Sequence, residues 1–394
     1  MNCLSKSQNA LYFSSIDDIS EDIWQSLQCE DNVYFNRKFL KSFEKNHSEI
    51  TFFYVVLIDN EKNPIAFSAI QIIDFYLDTI KNNEHLFLLK IKNIGRNLHI
   101  IPDKKPLKIL ISGNTFVSGE HGIFIKEDQN KKIIIKELAL AILHLVQSGR
   151  KLKVDAFLLK DFINESLFIT DELTDFNYNP FSVEPNMVFK TDKNWQNFDD
   201  YLAAMKTKFR VKAKKAMALS KEITIENITK ENIEKLLPKM TTLYQKVAKN
   251  ATFKLSEFNL ETYKHLKKEF GEQYILKAFC LDNNIVGFMS GIINNNSLDA
   301  HFVGIDYKLN KPYAIYQRML YEYVQIAINK KLKTINFGRT ASEIKSSVGA
   351  IPQDLTIYFR HKKSITNKIL KLFLQRVQPT PFQQKFPFKN KITS

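Results

Sequence analysis

The sequence predicts a mixed α/β protein, an α+β mixed-sheet architecture built from two similar units in tandem. Three observations lead there. A chain of 394 residues is too long for one ordinary core and points to about two domains. Continuous apolar runs rich in β-branched and aromatic residues alternate with stretches of helical periodicity, the pattern of sheets covered by helices. The order of elements then recurs. Phe35-Asn36 opens a helix that leads through a strand to a turn at Asp59-Asn60. Phe258-Asn259 opens another that leads through a strand to a turn at Asp282-Asn283, with the same spacing.

The first unit spans residues 1–185. Ser20 is a helix cap, with Glu21 and Asp22 in the first turn. A helix over 36–46 follows, then strands over 50–58 and 65–75 around a turn at 59–64. Further strands are expected over 86–91 and 108–112. The helix 132–148 has Ile134, Leu138, Ile142 and Leu145 on one face and Gly149 just past its end. A strand over 154–159 closes the unit. Residues 183–194, with Pro185, read as the linker.

The second unit spans 186–360 and opens with a basic helix over 197–221. A strand over 274–281 and the run Ile285-Val-Gly-Phe288 follow the turn order of the first unit. Then come a strand over 298–305, a helix over 313–329 and a strand over 333–337. That strand feeds into Gly338-Arg-Thr-Ala-Ser-Glu-Ile-Lys345, and a last strand over 355–360 ends the unit. A polar loop leaving a strand end in this way is where open α/β sheets hold their ligands. The tail, 361–394, carries an amphipathic helix over 364–377 with Ile365, Ile369, Leu372 and Phe373 on one side, then Pro379, Pro381 and Pro387.

Composition narrows the function. With 31 Phe but only 11 Gly and 11 Pro, the chain is neither disordered nor a many-turned all-β protein. Cys3, Cys29 and Cys280 have no paired spacing and no nearby His cluster, so neither a disulfide framework nor a metal site is expected. No signal-length apolar segment opens the chain and no run is long enough to span a membrane, so the expected location is cytoplasmic. The net charge of +15 sits in two places. Residues 201–221 hold seven cations and no acid, and 362–394 hold eight and no acid, which together account for all of it. A positive field so confined points to phosphate groups, nucleic acid or an anionic membrane.

The order helix, helix, strand, turn, strand, strand, helix, strand resembles the GNAT acyltransferase fold. Two such units with a basic helix opening the second resemble the FemAB group. The residues that carry this are Tyr201-Leu-Ala-Ala-Met-Lys-Thr-Lys-Phe-Arg210 with Lys214-Lys215, and Asn336-Phe-Gly-Arg-Thr340 with Lys345 and Gly349-Ala350. The resemblance implies an enzyme that forms an amide by acyl or aminoacyl transfer to an amine. It implies acyl-coenzyme A or aminoacyl-tRNA as co-substrate, with no bound cofactor. The implied acceptor is an amine-bearing small molecule or a peptidoglycan precursor of the cell wall. In place of a glycine-rich phosphate loop, the segment before the long helix reads Leu309-Asn-Lys-Pro-Tyr-Ala314.

Amide formation needs a deprotonated amine, a polarised carbonyl and help for the leaving group. Lys345 matches a lysine that FemAB-like enzymes keep after this strand. It would stabilise a developing oxyanion or neutralise a donor phosphate, unless it is a solvated loop lysine. Arg339 would grip phosphate or carboxylate in two parallel hydrogen bonds, or pair with Glu343. Asp299 and His301, two apart on a strand, share a face and could form an oriented general base. The alternative is a strand histidine satisfied by backbone. Tyr313 and Tyr316 open the long helix, where the fold often keeps a tyrosine that protonates the leaving group, although core packing would also place them there. Lys206, Arg210 and Lys214 fall at i, i+4 and i+8 and would hold a phosphate-bearing partner such as tRNA, or form a solvated face. The tail helix would either touch an anionic membrane or dock on the domain. The first unit has Leu158-Leu-Lys-Asp-Phe162 where the second has the Gly338–Lys345 loop, so it is expected to be structural. A second class of function stays open: a GNAT-fold binding protein without catalysis, attached to nucleic acid or anionic membrane by its basic segments.

Overall fold

The computed structural model describes residues 9–76, 106–147, 152–250 and 254–390. The strand expected over 86–91 and the stop at Gly149 lie outside them. The chain divides into two compact units, one built from residues 1–184, 252–258 and 354–379, the other from 185–251, 259–353 and 380–394.

In the first unit Ser20 accepts the Ile23 N–H and caps α1 (Glu21–Leu27). Asn36 likewise caps α2 (Arg37–Asn46). Strand β1 (Ala10–Phe13) pairs with β2 (Thr51–Ile58), which returns through the 59–63 turn as β3 (Pro64–Phe75). Asp59 makes that turn by accepting the N–H groups of Glu61 and Asn63. Next come β4 (Leu107–Ser112), the short β5 (Ile123–Ile125) beside β3, helix α3 (Lys131–Gln147) and β6 (Ala156–Ile163). The pair β4–β6 is parallel, as the α3 crossover requires. Ile135, Leu138, Ile142 and Leu145 of α3 are buried against Val55, Leu57, Ile70 and Leu110 of the sheet.

The segment expected to be a linker is instead strand β7 (Asn179–Lys190). Its second half belongs to the second unit, where Val188–Lys190 pair with the strand that follows the long helix. The single basic helix expected over 197–221 is two: α4 (Phe198–Ala204), capped by Asn197, and α5 (Thr207–Leu219). The break falls at Met205-Lys206, where Met205 bridges Phe388 and the Lys206 N–H donates to the Pro387 carbonyl. After β8 (Thr224–Asn227) come α6 (Ile233–Asn250) and α7 (Thr262–Phe270).

Strands β9 (Tyr274–Leu281), β10 (Asn284–Asn294) and β11 (Ser297–Ile305) form an antiparallel meander. A seven-residue helix α8 (Tyr307–Tyr313) occupies the expected loop and passes through left-handed Ala314 into α9 (Ile315–Asn329). Strand β12 (Thr334–Asn336) lies parallel to β11, and α10 (Ser342–Ser347) forms within the polar loop that follows. The succession β9, β10, β11, α9, β12 repeats β2, β3, β4, α3, β6, which is the tandem plan read from the sequence. From Asp354 onward β13 (Ile351–His361) pairs with β6 and belongs to the first unit. Helix α11 (Ser364–Leu374) stays with it, and residues 380–390 return to the second unit. Among the described residues no helix is long and apolar enough to cross a membrane.

Candidate active site

In the second unit the parallel strands β11 and β12 pair only over Ser297–Asp299 and Thr334–Asn336. Beyond that point they part. Strand β12 turns its bonds to β7, with Phe337 donating to the Met187 carbonyl and Met187 to that of Gly338. The edge of β11 that faced β12 has no ladder partner over residues 300–305 among the described strands.

At this parting the chain makes an unusual turn. Gly338, Thr340 and Ala341 all have positive φ, at 70°, 65° and 49°. For a β-branched residue such as Thr340 this is sterically costly and must be held by its surroundings. Lys345 holds it. Its Nζ donates to the carbonyls of Arg339 (2.6 Å) and Gly338 (3.2 Å). Lys345 is only 4% exposed, and loss of hydration pushes its pKa down to about 7. The Arg339 guanidinium is also desolvated, which lowers its pKa to about 10, so it stays charged at neutral pH. Glu343 bridges Lys385 at 3.1 Å.

Strand β11 opposite is irregular. Between Met289↔Val303 and Gly291↔Ala300, Ser290 faces both His301 and Phe302, a bulge. Ser290 Oγ donates to the Phe302 carbonyl at 2.6 Å, and the Tyr323 hydroxyl of α9 donates to the Ser290 carbonyl at 2.6 Å. The Tyr263 hydroxyl lies 2.9 Å from Ser290 Oγ. Ser290, Tyr263 and Tyr323 were not identified from the sequence. A lone Ser amid the apolar run of β10 was the one available signal. His301 sits beyond the bulge with its ring 5.9 Å from that of Tyr274. Desolvation pushes its pKa down to about 3, so the imidazole is neutral and weakly basic near pH 7. Asp299 is buried and accepts from the Ser297 hydroxyl at 2.9 Å.

Tyr313 ends α8 and Tyr316 lies in the first turn of α9, both half-buried. Burial raises the Tyr316 phenol above its ordinary range, so it remains a proton donor. The Tyr316 backbone N–H, one of those a helix start would offer to a phosphate, is taken by Asn310 Oδ1 at 2.9 Å. Helix α5 packs against α8 and α9. Lys206 is its N-cap residue, while Arg210 and Lys214 lie one and two turns in. Among the described residues, none of these three is in an ion pair. The structure thus joins Lys345 to the Arg339 turn directly and sets His301 within a tyrosine cluster. No group of three His, Cys, Asp or Glu among the described residues could hold a metal.

The second unit's arrangement has a counterpart in the first. There β4 and β6 pair over Ile109–Ser112 and Ala156–Leu159. The loop after β4 is fastened to β6 by the buried Lys160, which donates to the carbonyls of Asn114 (2.8 Å) and Val117 (2.7 Å). Lys160 also pairs with Asp161 at 2.8 Å, and Asp161 accepts the Gly119 N–H.

Three solved structures are similar to this chain. The crystal structure of FemX superposes with a TM-score of 0.55 at 10% identity, covering 92% of this chain and 100% of that one. A tandem GNAT protein from the clavulanic acid biosynthesis pathway gives 0.49 at 8% identity, covering 89% and 98%. The L-PGS of Bacillus licheniformis gives 0.46 at 10%, covering 86% and 97%. The likeness to FemX is one of fold. No match is found among curated proteins. The family model described as peptidoglycan biosynthesis/recognition matches residues 122–389, more than half of the sequence, and by that match the chain belongs to the FemAB-like family.

Proposed function

We propose that the protein is an acyl- or aminoacyl-transferase that forms an amide on the amine of a peptidoglycan precursor. The observation that carries this reading is the parting of β11 from β12, with the Lys345-held turn at its edge. Beyond Asp299 the ladder of β11 with β12 ends, and an extended acyl or peptide chain would lie along β11 there. Arg339 grips a phosphate or carboxylate of the substrates, and Lys345 acts on it as a positioning residue. The acceptor nitrogen attacks the donor carbonyl. With an aminoacyl ester as donor, a C–N bond forms and the C–O bond to the donor breaks; Tyr316 gives its phenolic proton to the leaving oxygen, and the proton lost by the amine passes to the resulting Tyr316 phenolate, directly or through water. The first unit, its loop tied to β6, serves as support.

Aminoacyl-tRNA is the favoured donor. Helix α8 stands where a phosphate-binding loop would be, and Asn310 already takes the Tyr316 N–H. Helix α5, with the cap residue Lys206, carries Lys208, Arg210, Lys212, Lys214 and Lys215, with no ion pair to any of them among the described residues. The test offers purified protein either an acyl-coenzyme A pool or labelled aminoacyl-tRNA, with soluble and lipid-linked peptidoglycan precursors as acceptors. A mass shift of the acceptor that ribonuclease abolishes supports the reading. Product from coenzyme A would replace the donor. Silence in both arms, with salt-sensitive tRNA binding, would instead favour a binding protein without catalysis.

A further inference from the structure

Helix α11 is built inside out. Its inward face is polar: Thr366 and Asn367 are buried. Asn367 Oδ1 accepts from the His361 N–H (2.8 Å) and from Asn179 Nδ2 (3.2 Å), while its Nδ2 donates to the Asn177 carbonyl (2.8 Å). These bonds fix the helix to the first unit through its polar side. Its outward side carries two large apolar residues among lysines. Ile365 is 77% exposed and Leu372, two turns on, is 62% exposed. Of the four apolar residues that share a side of this helix, Ile365 and Leu372 face solvent while Ile369 and Phe373 are half-buried.

Cations surround the two apolar side chains. Lys363, Lys368, Lys371 and Arg376 are all exposed. Lys362 is bridged to Asp155, but these four have no ion pair among the described residues. No acid occurs anywhere after Asp354. An exposed apolar face rimmed by unpaired cations matches an interface that is apolar within and anionic at its surface. Nucleic acid offers the charge but nothing for Ile365 and Leu372 to enter.

We infer that α11 docks the protein on anionic phospholipid bilayers, with Ile365 and Leu372 entering the acyl boundary and the surrounding lysines meeting the head groups. The inference does not depend on the proposed reaction. It is tested by sedimenting the full chain with large vesicles of phosphatidylcholine alone or with one third phosphatidylglycerol, at about 0.1 M salt. Binding to the mixed vesicles only is expected. Ile365→Ser with Leu372→Ser should weaken partitioning on the order of tenfold. Lys368→Gln with Lys371→Gln should weaken it about twenty-fold. All four side chains point away from the fold, so thermal melting should be unchanged, which separates docking from unfolding. Absence of binding to the anionic vesicles would overturn the inference, as would binding that either double variant leaves intact. A dimer seen by light scattering, dissolved by the serine variant and indifferent to vesicles, would assign the face to a second copy and also overturn it.

Discussion

Neutral or charged, Lys345 can hold the same turn. A protonated amine has three N–H donors and a neutral one two, enough for the Gly338 and Arg339 carbonyls. Its folded pKa, about 7, lies below the unfolded value of 10.5. Above pH 7 the unfolded state therefore binds the extra proton, and stability should rise between about pH 7 and 10. Lys345→Met removes that rise. Denaturant unfolding at pH 6 and pH 9 checks it: the gap between wild type and variant should widen at the higher pH. Methionine also leaves two carbonyls unsatisfied, at about 1–3 kcal/mol each. Arg339→Ala leaves Lys345 and the turn in place and should cut turnover on the order of a hundredfold with the melting temperature unchanged. His301, with a pKa near 3, contributes no inflection to a rate profile between pH 5 and 9. His301→Gln should keep the wild-type pH profile. A lost inflection near pH 6.5 would restore it as the general base.

The bulge facing this turn is an element-scale device. Ser290 meets two residues of β11, and the tyrosine hydroxyl of α9 supplies the bond that the ladder loses there. Tyr323→Phe should cost about 1–3 kcal/mol, because the buried Ser290 carbonyl is left unsatisfied. Amide exchange should then quicken first in β10 and β11. The sequence exposed strands that are buried on both faces, such as β2, whose apolar run is unbroken, and β9, interrupted only by Lys277, because both runs end at Asp-Asn turns. It obscured three others. Pro185 within β7 suggests a linker, the segment that forms α8 reads as a loop from its place before the long helix, and α6, with Pro238 inside it, goes unassigned. The division of α4 from α5 has no local signal, since Phe388, distant in sequence, imposes it through the bridge to Met205. The site divides the same way. Arg339 and Lys345 of the proposed site stand out in the sequence because they leave a strand end together. The roles of Ser290 and Tyr323 depend on a register shift that a sequence does not display.

At the scale of the molecule, the chain does not finish one unit before building the other. The first unit needs β13, where Tyr358 is fully buried and its hydroxyl donates to Asp171 at 2.6 Å. It also needs Asn367 of α11 and, from 252–258, Phe258 against Phe43, His47 and Phe116. The second unit takes its closing segment from residues 380–390. There Phe388 packs on Phe189, Trp195 and Tyr201, and Gln384 and Lys385 bond to Ala350 and Ser346. A cut at the apparent boundary near residue 185 therefore leaves the edge of β6 without its partner and exposes Tyr178 and Phe162, both buried in the intact chain. A fragment of residues 1–184 should not melt cooperatively, because an open apolar strand edge favours association over folding. Residues 354–379 added in trans, or fused by a flexible linker, should restore a cooperative transition, read by far-ultraviolet circular dichroism on heating. A fragment of 1–184 that melts cooperatively alone would mean that β13 adds stability without specifying the fold.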